Sequence, residues 1–89
     1  MMKPTISKYF KNEKLMMVPK KQHPKLEVLS FFAGLFDEGK TYRENEVNEI
    51  IQQYYDDYAL IRRNLIDYQL LERDDFGKTY HKKVHPIQD

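Results

Sequence analysis

Residues 56–80 read DDYALIRRNLIDYQLLERDDFGKTY, and this stretch decides the fold. Tyr58, Ile61, Leu65 and Tyr68 recur at three- and four-residue spacing, which puts them on one face of a helix. Beyond Tyr68 the period changes. Leu70-Leu71-Glu72-Arg73 and Lys78-Thr79-Tyr80-His81 are strand-like runs around Asp74-Asp75-Phe76-Gly77, a turn signal whose glycine is free to take positive φ. A helix that passes directly into a two-stranded hairpin is the expectation.

Working outward, a second helix is expected from Glu44 to Tyr54 or Tyr55, with Val47, Ile50, Ile51 and Tyr54 as its buried face. Glu44, Glu46 and Glu49 crowd its first half, where the positive end of the helix dipole favours carboxylates; that explains the acidic cluster without catalysis. Lys40-Thr41-Tyr42 before it is a short extended piece able to pair with the hairpin. Another helix is expected from Pro24 or Lys25 to Phe36. Leu26, Leu29, Phe32, Ala33 and Phe36 form its stripe, and Pro24 suits a first turn whose N–H groups lack partners anyway. Gly39 is the natural left-handed cap after it, and Gly34 inside it costs roughly 1 kcal/mol against alanine unless it permits close packing. Residues 5–18 hold two apolar runs, ISKYF and LMMV, around Lys11-Asn12-Glu13-Lys14, which suits a hairpin or a loosely docked arm. Pro19 and Pro24 bracket a lysine-containing linker.

The expected fold is therefore α+β, mostly α: a winged helix-turn-helix of three helices plus a C-terminal β-hairpin wing, with an N-terminal arm or hairpin. The domains are 1–23 as basic arm and linker, 24–83 as the winged-helix body, and 84–89 as a tail.

At 89 residues the chain is one small domain with a thin margin of apolar burial. Its formal charge is only +1, so overall charge makes no case for a polyanionic partner. The distribution is uneven. Residues 1–25 hold seven lysines against one glutamate, while residues 26–73 hold ten acidic against five basic side chains. A solvated lysine-rich segment is sufficient to explain the arm. The absence of cysteine excludes disulfides and thiolate chemistry and fits a reducing cytoplasm. No apolar run approaches the ~20 residues of a membrane span, and 1–8 lack the apolar core of a secretory signal.

The order Y-x-E-x-EVNEI at 42–50, DDY-x-x-x-RR-x-L-x-DY-x-LL-x-R at 56–73 and G-x-x-Y at 77–80 resembles a bacterial domain-of-unknown-function family, number two-zero-eight-seven. The likeness runs from Tyr9 to Tyr80. It implies a winged-helix-like domain, sometimes attached to transcription regulators that carry another helix-turn-helix, and a regulatory or interaction role with no activity or ligand to transfer. Arg43 stands where the family often has Thr or Ser before the second helix, which removes an N-cap oxygen. Thr41, three residues before Glu44, offers a capping box instead.

If double-stranded DNA is the partner, the third helix enters the major groove and cations meet phosphates. Opposite the Tyr58–Tyr68 seam lie Asp56, Ala59, Leu60, Arg63, Ile66 and Asp67, with Arg62 toward one edge. Arg63 and Arg62 are then the helix contacts, Lys78 and Lys82 the wing contacts, and Lys20 and Lys21 the flanking phosphate contacts. Against this, Asp56 and Asp57 stand at the helix start, where they cap the helix and repel phosphate, and Asp74-Asp75 occupy the wing tip. The competing reading is a protein-interaction or dimerisation module in which Leu60, Ile66 and Phe76 form an exposed apolar patch; completing a small core would explain the same side chains.

No enzyme and no cofactor are expected. His81 and His85 are four apart, but extended geometry separates them by ~13 Å, too far to share a metal. Asp75-Phe76-Gly77 matches a kinase triplet, yet no glycine-rich or catalytic loop accompanies it. Tyr54-Tyr55 and Asp56-Asp57 are explained by a helix–helix junction.

Overall fold

The structure, a computed structural model, describes residues 4–76 and 78–83. The expectations placed on Gly77, His85 and Pro86 lie outside them. Among the described residues the chain is α+β. A single helical turn α1 (Pro4–Ser7) leads into the two-residue strands β1 (Phe10–Lys11) and β2 (Lys14–Leu15), followed by α2 (Gln22–Ala33). Then come β3 (Thr41–Arg43), α3 (Glu44–Gln52), α4 (Tyr58–Asp67), β4 (Leu71–Arg73) and β5 (Thr79–Lys82).

The stretch that decides the fold behaves as its periodicity requires. Ile61 and Leu65 are fully buried, and Tyr58 and Tyr68 pack against the same core. Asp57 caps the helix, its Oδ1 accepting from the Leu60 N–H at 3.2 Å, and so satisfies one of the orphan donors of the first turn. Gln69, at φ 61°, turns the chain sharply into β4. The hairpin closes on Asp74: its carboxylate accepts from the N–H groups of Lys78 at 2.7 Å and Thr79 at 3.3 Å. β5 is the central strand of an antiparallel sheet in the order β3-β5-β4, with Tyr80 opposite Tyr42 on one side and Arg73 on the other. The short extended piece before α3 does pair with the hairpin.

Several boundaries differ from expectation. α2 begins at Gln22, so the break expected after residue 23 falls inside the helix, and it ends at Ala33 with Gly34 as its right-handed C-cap. Gly34 is thus a terminus rather than an interior packing site. The chain beyond it tightens into three-residue hydrogen bonds, Leu35 N–H to Phe32 and Phe36 N–H to Ala33, which carry Phe36 into the core. Gly39 does have positive φ, 77°, but it serves the turn before β3 and caps nothing. Leu26 lies off the core face; Val28, fully buried, takes that place with Leu29, Phe32 and Ala33. α3 stops at Gln52, two residues short, because Tyr54 and Tyr55 both return their N–H groups to the Ile51 carbonyl. Its cap is also different. Thr41 sits in β3, and the Arg43 N–H instead donates to Glu46 Oε1 at 2.8 Å. Arginine has no acceptor to return, so only that half of a capping box can form.

The N-terminal segment forms the hairpin alternative and belongs to the same core. Ile6 and Leu15 are buried with residues of all three longer helices. Leu15 donates its N–H to the Tyr54 carbonyl at 2.7 Å, satisfying a group left over at the end of α3. Phe31 holds the hairpin to the body: its ring lies edge-on to Phe10, Phe32 and Tyr54 at 5.1, 5.4 and 5.2 Å. No helix of the described residues is long and apolar enough to cross a membrane.

Candidate nucleic-acid interface

α4 buries Ile61 and Leu65, so the residues next to them must face its neighbours or water. On the side toward the β4–β5 hairpin this leaves a cleft of about 420 Å³, into which Arg62, Arg63 and Asp67 of α4, Arg73 of β4 and Tyr80 of β5 converge. Ala59 and Ile66 complete its wall. Alanine at 59 keeps the helix side of the opening low.

Each cation arrives for a local reason. Arg62 follows buried Ile61 and is half-buried; its guanidinium donates to Asn48 Oδ1 of α3, which fixes its direction. Arg63, one hundred degrees further round, is exposed, with Asp67 four residues on as its neighbour on the helix surface. Arg73 is two residues after buried Leu71, hence on the same face of β4, and it registers opposite Tyr80. Three guanidinium forks in one concavity suit an anion with several oxygens, because each fork can present two parallel N–H groups.

The floor of the cleft is Tyr80, with only 1 % of its surface exposed. Its hydroxyl donates to Glu44 Oε1 at 2.8 Å. Burial pushes the Tyr80 phenol above its ordinary range, and the hydrogen bond and charge of Glu44 push the same way; the Arg62 and Arg73 guanidinium groups pull against them. Glu44 is the first residue of α3, where the helix dipole favours its charge, so this acidic partner is held in place from both ends.

The sequence-derived cations divide. Arg62 and Arg63 share the cleft. Lys78 lines a separate depression of about 530 Å³ with Arg43 and Glu44, and Lys82 is half-buried on β5 opposite Leu71. Lys20 and Lys21 line a groove of about 610 Å³ beside α1 and the start of α2, with Lys8, Tyr9 and Met17, and share no wall with the arginines. Arg73 and Tyr80 were absent from the sequence-derived set. Their signal was the two-residue period of the hairpin, which puts Arg73 on the face of Leu71 toward α4.

The apolar candidates divide as well. Phe76 is 83 % exposed and Leu60 37 %, while Ile66 is half-buried, packed against the core and lining the cleft wall. Charge around the cleft is uneven: Glu44, Glu46 and Glu49 on α3 and Asp56 and Asp57 before α4 are all exposed. His81 Nε2 lies 2.9 Å from Glu72 Oε1. Among the described residues no group of three or more His, Cys, Asp or Glu side chains is placed to hold a metal ion.

A family model described as "uncharacterized protein conserved in bacteria (DUF2087)" matches residues 14–82. The chain belongs to that family. No curated protein and no solved structure matches it.

Proposed function

We propose that this member of an uncharacterised bacterial family is a winged-helix module that binds nucleic acid, with a phosphodiester backbone lying between α4 and the hairpin. The order helix, strand, helix, helix, hairpin, with β3 added to the hairpin, is compatible with a winged helix and supports this reading, in which the third helix and the wing would flank a phosphate row. The observation that carries the reading is the convergence of Arg62, Arg63 and Arg73 on one cleft from two elements. Asp74 supports it by spending its carboxylate on the turn, which softens the repulsion expected at the wing tip.

Arg63→Ala and Arg73→Ala should each weaken binding to sheared DNA, offered native and heat-denatured, by roughly 5- to 50-fold, and should flatten its salt dependence by about one ion each. Affinity that is unchanged in both variants would reject the assignment.

A second reading, docking of a protein partner or a second copy, is favoured by one observation. Met16 and Met17 are 60 % and 49 % exposed side by side, next to the lysine-lined groove. Its signature is a solution mass that rises with concentration and falls back in Met17→Asp or Leu60→Asp.

A further inference from the structure

We propose that the ligand preferred by the α4–hairpin cleft is a single strand of nucleic acid rather than a duplex, an inference that rests on the nucleic-acid reading above and narrows it. Three observations point the same way: the size of the basic concavity, the charge of what flanks α4, and an exposed aromatic ring at the hairpin tip.

The basic concavity is small. About 420 Å³ holding three arginines is room for one backbone, and the other lysine-bearing depressions share no lining residue with it. A duplex seated with α4 in its major groove, which is about 12 Å wide, brings a phosphate wall to each side of the helix. On the hairpin side that wall meets Arg62, Arg63 and Arg73. α4 is packed by α3, whose ionisable side chains are Glu44, Glu46 and Glu49, all exposed, and Glu44 reaches the Tyr80 hydroxyl at the cleft floor. Asp56 and Asp57 stand at the N-terminal end of α4. A second phosphate row alongside α4 would have to pass these carboxylates, which costs affinity at any salt low enough for binding to be electrostatic. A single strand has only one row and avoids it.

Phe76 supplies what a single strand needs and a duplex cannot use. With 83 % of its surface exposed at the tip of the hairpin, three residues past Arg73, its ring is free to stack an unpaired base. In a duplex every base is already stacked. A cationic groove beside an open aromatic face is the general recipe for single-strand binding without base-specific contacts.

The test compares a labelled oligothymidylate with a mixed-sequence duplex of the same length, by fluorescence anisotropy on the whole chain at low salt. The single strand should bind about tenfold or more tightly than the duplex. Phe76→Ala, at a residue too exposed to affect folding, should cost the single strand about fivefold or more and leave the duplex unchanged. Glu46→Gln with Glu49→Gln should strengthen the duplex more than the single strand. Equal or tighter duplex binding overturns the single-strand inference and leaves the nucleic-acid reading standing. Binding of neither probe overturns both. A preference that survives Arg73→Ala, Phe76→Ala and the double glutamine variant unaltered also overturns it, because the selecting surface would then lie elsewhere.

Discussion

The Tyr80 hydroxyl is where core and cleft meet, and its chemistry is testable alone. Tyr80→Phe removes the bond to Glu44 while keeping the ring, and should cost about 1 kcal/mol in urea unfolding. The pH dependence follows from the direction of the shift. The folded chain holds the Tyr80 proton more tightly than the unfolded chain, so above about pH 10 the unfolded state loses protons first and becomes more favourable relative to the folded one. The contribution is fully present below that pH and is lost as pH rises through the folded value. Thermal melts from neutral to pH 11 should show a falling Tm in the native chain and a shallower fall in Tyr80→Phe; parallel curves would remove this group from the alkaline limb. Neither the hydroxyl's partner nor the arginines around it could be read from residue order, since Glu44 and Tyr80 are 36 positions apart.

At the scale of elements, the turn between β1 and β2 carries a cost that the sequence does not advertise. Asn12 and Glu13 both have positive φ, 53° and 65°, as a two-residue hairpin of the primed type requires. Asparagine tolerates this conformation, whereas glutamate pays for its Cβ. Glu13→Gly should therefore stabilise the chain by roughly 0.5–1 kcal/mol, read as a higher urea midpoint. A lower midpoint would mean that the turn is not held as described. The same local logic makes Asp57→Ala destabilising by about 1 kcal/mol through loss of the α4 cap. Helices α3 and α4 were legible because their apolar spacing and flanking carboxylates agree. The end of α2 was not, because Phe31, Phe32, Leu35 and Phe36 keep the segment apolar past the point where its hydrogen bonds tighten.

For the whole molecule, the main surprise is that the lysine-rich N-terminal segment closes the core. Ile6 and Leu15 are 1 % and 4 % exposed. Ile6→Ala and Leu15→Ala should each cost about 2–4 kcal/mol, as buried large-to-small changes do. Costs near zero would mean that the segment lies on the surface as an appendage. In so small a domain losses of that size are a large share of the total stability. Lys8, Lys11, Lys14, Lys20 and Lys21 remain outside: Lys8 lies over the Tyr9 ring at 5.4 Å, and Lys20 and Lys21 line their own groove. Charge composition therefore described the segment's surface and was silent about its role in packing.

Residue order by itself determined the elements of the body. Apolar spacing is a local property, so the α4 seam, the hairpin after it and the start of α3 follow from a few neighbouring residues, and the family pattern in 42–80 follows with them. Only the tertiary structure decided what meets across the fold: Arg73 with Arg62 and Arg63, Tyr80 with Glu44, and Leu15 with the end of α3. Those encounters depend on sheet register and helix packing, in which side chains far apart in the chain find each other through a core that no short window contains.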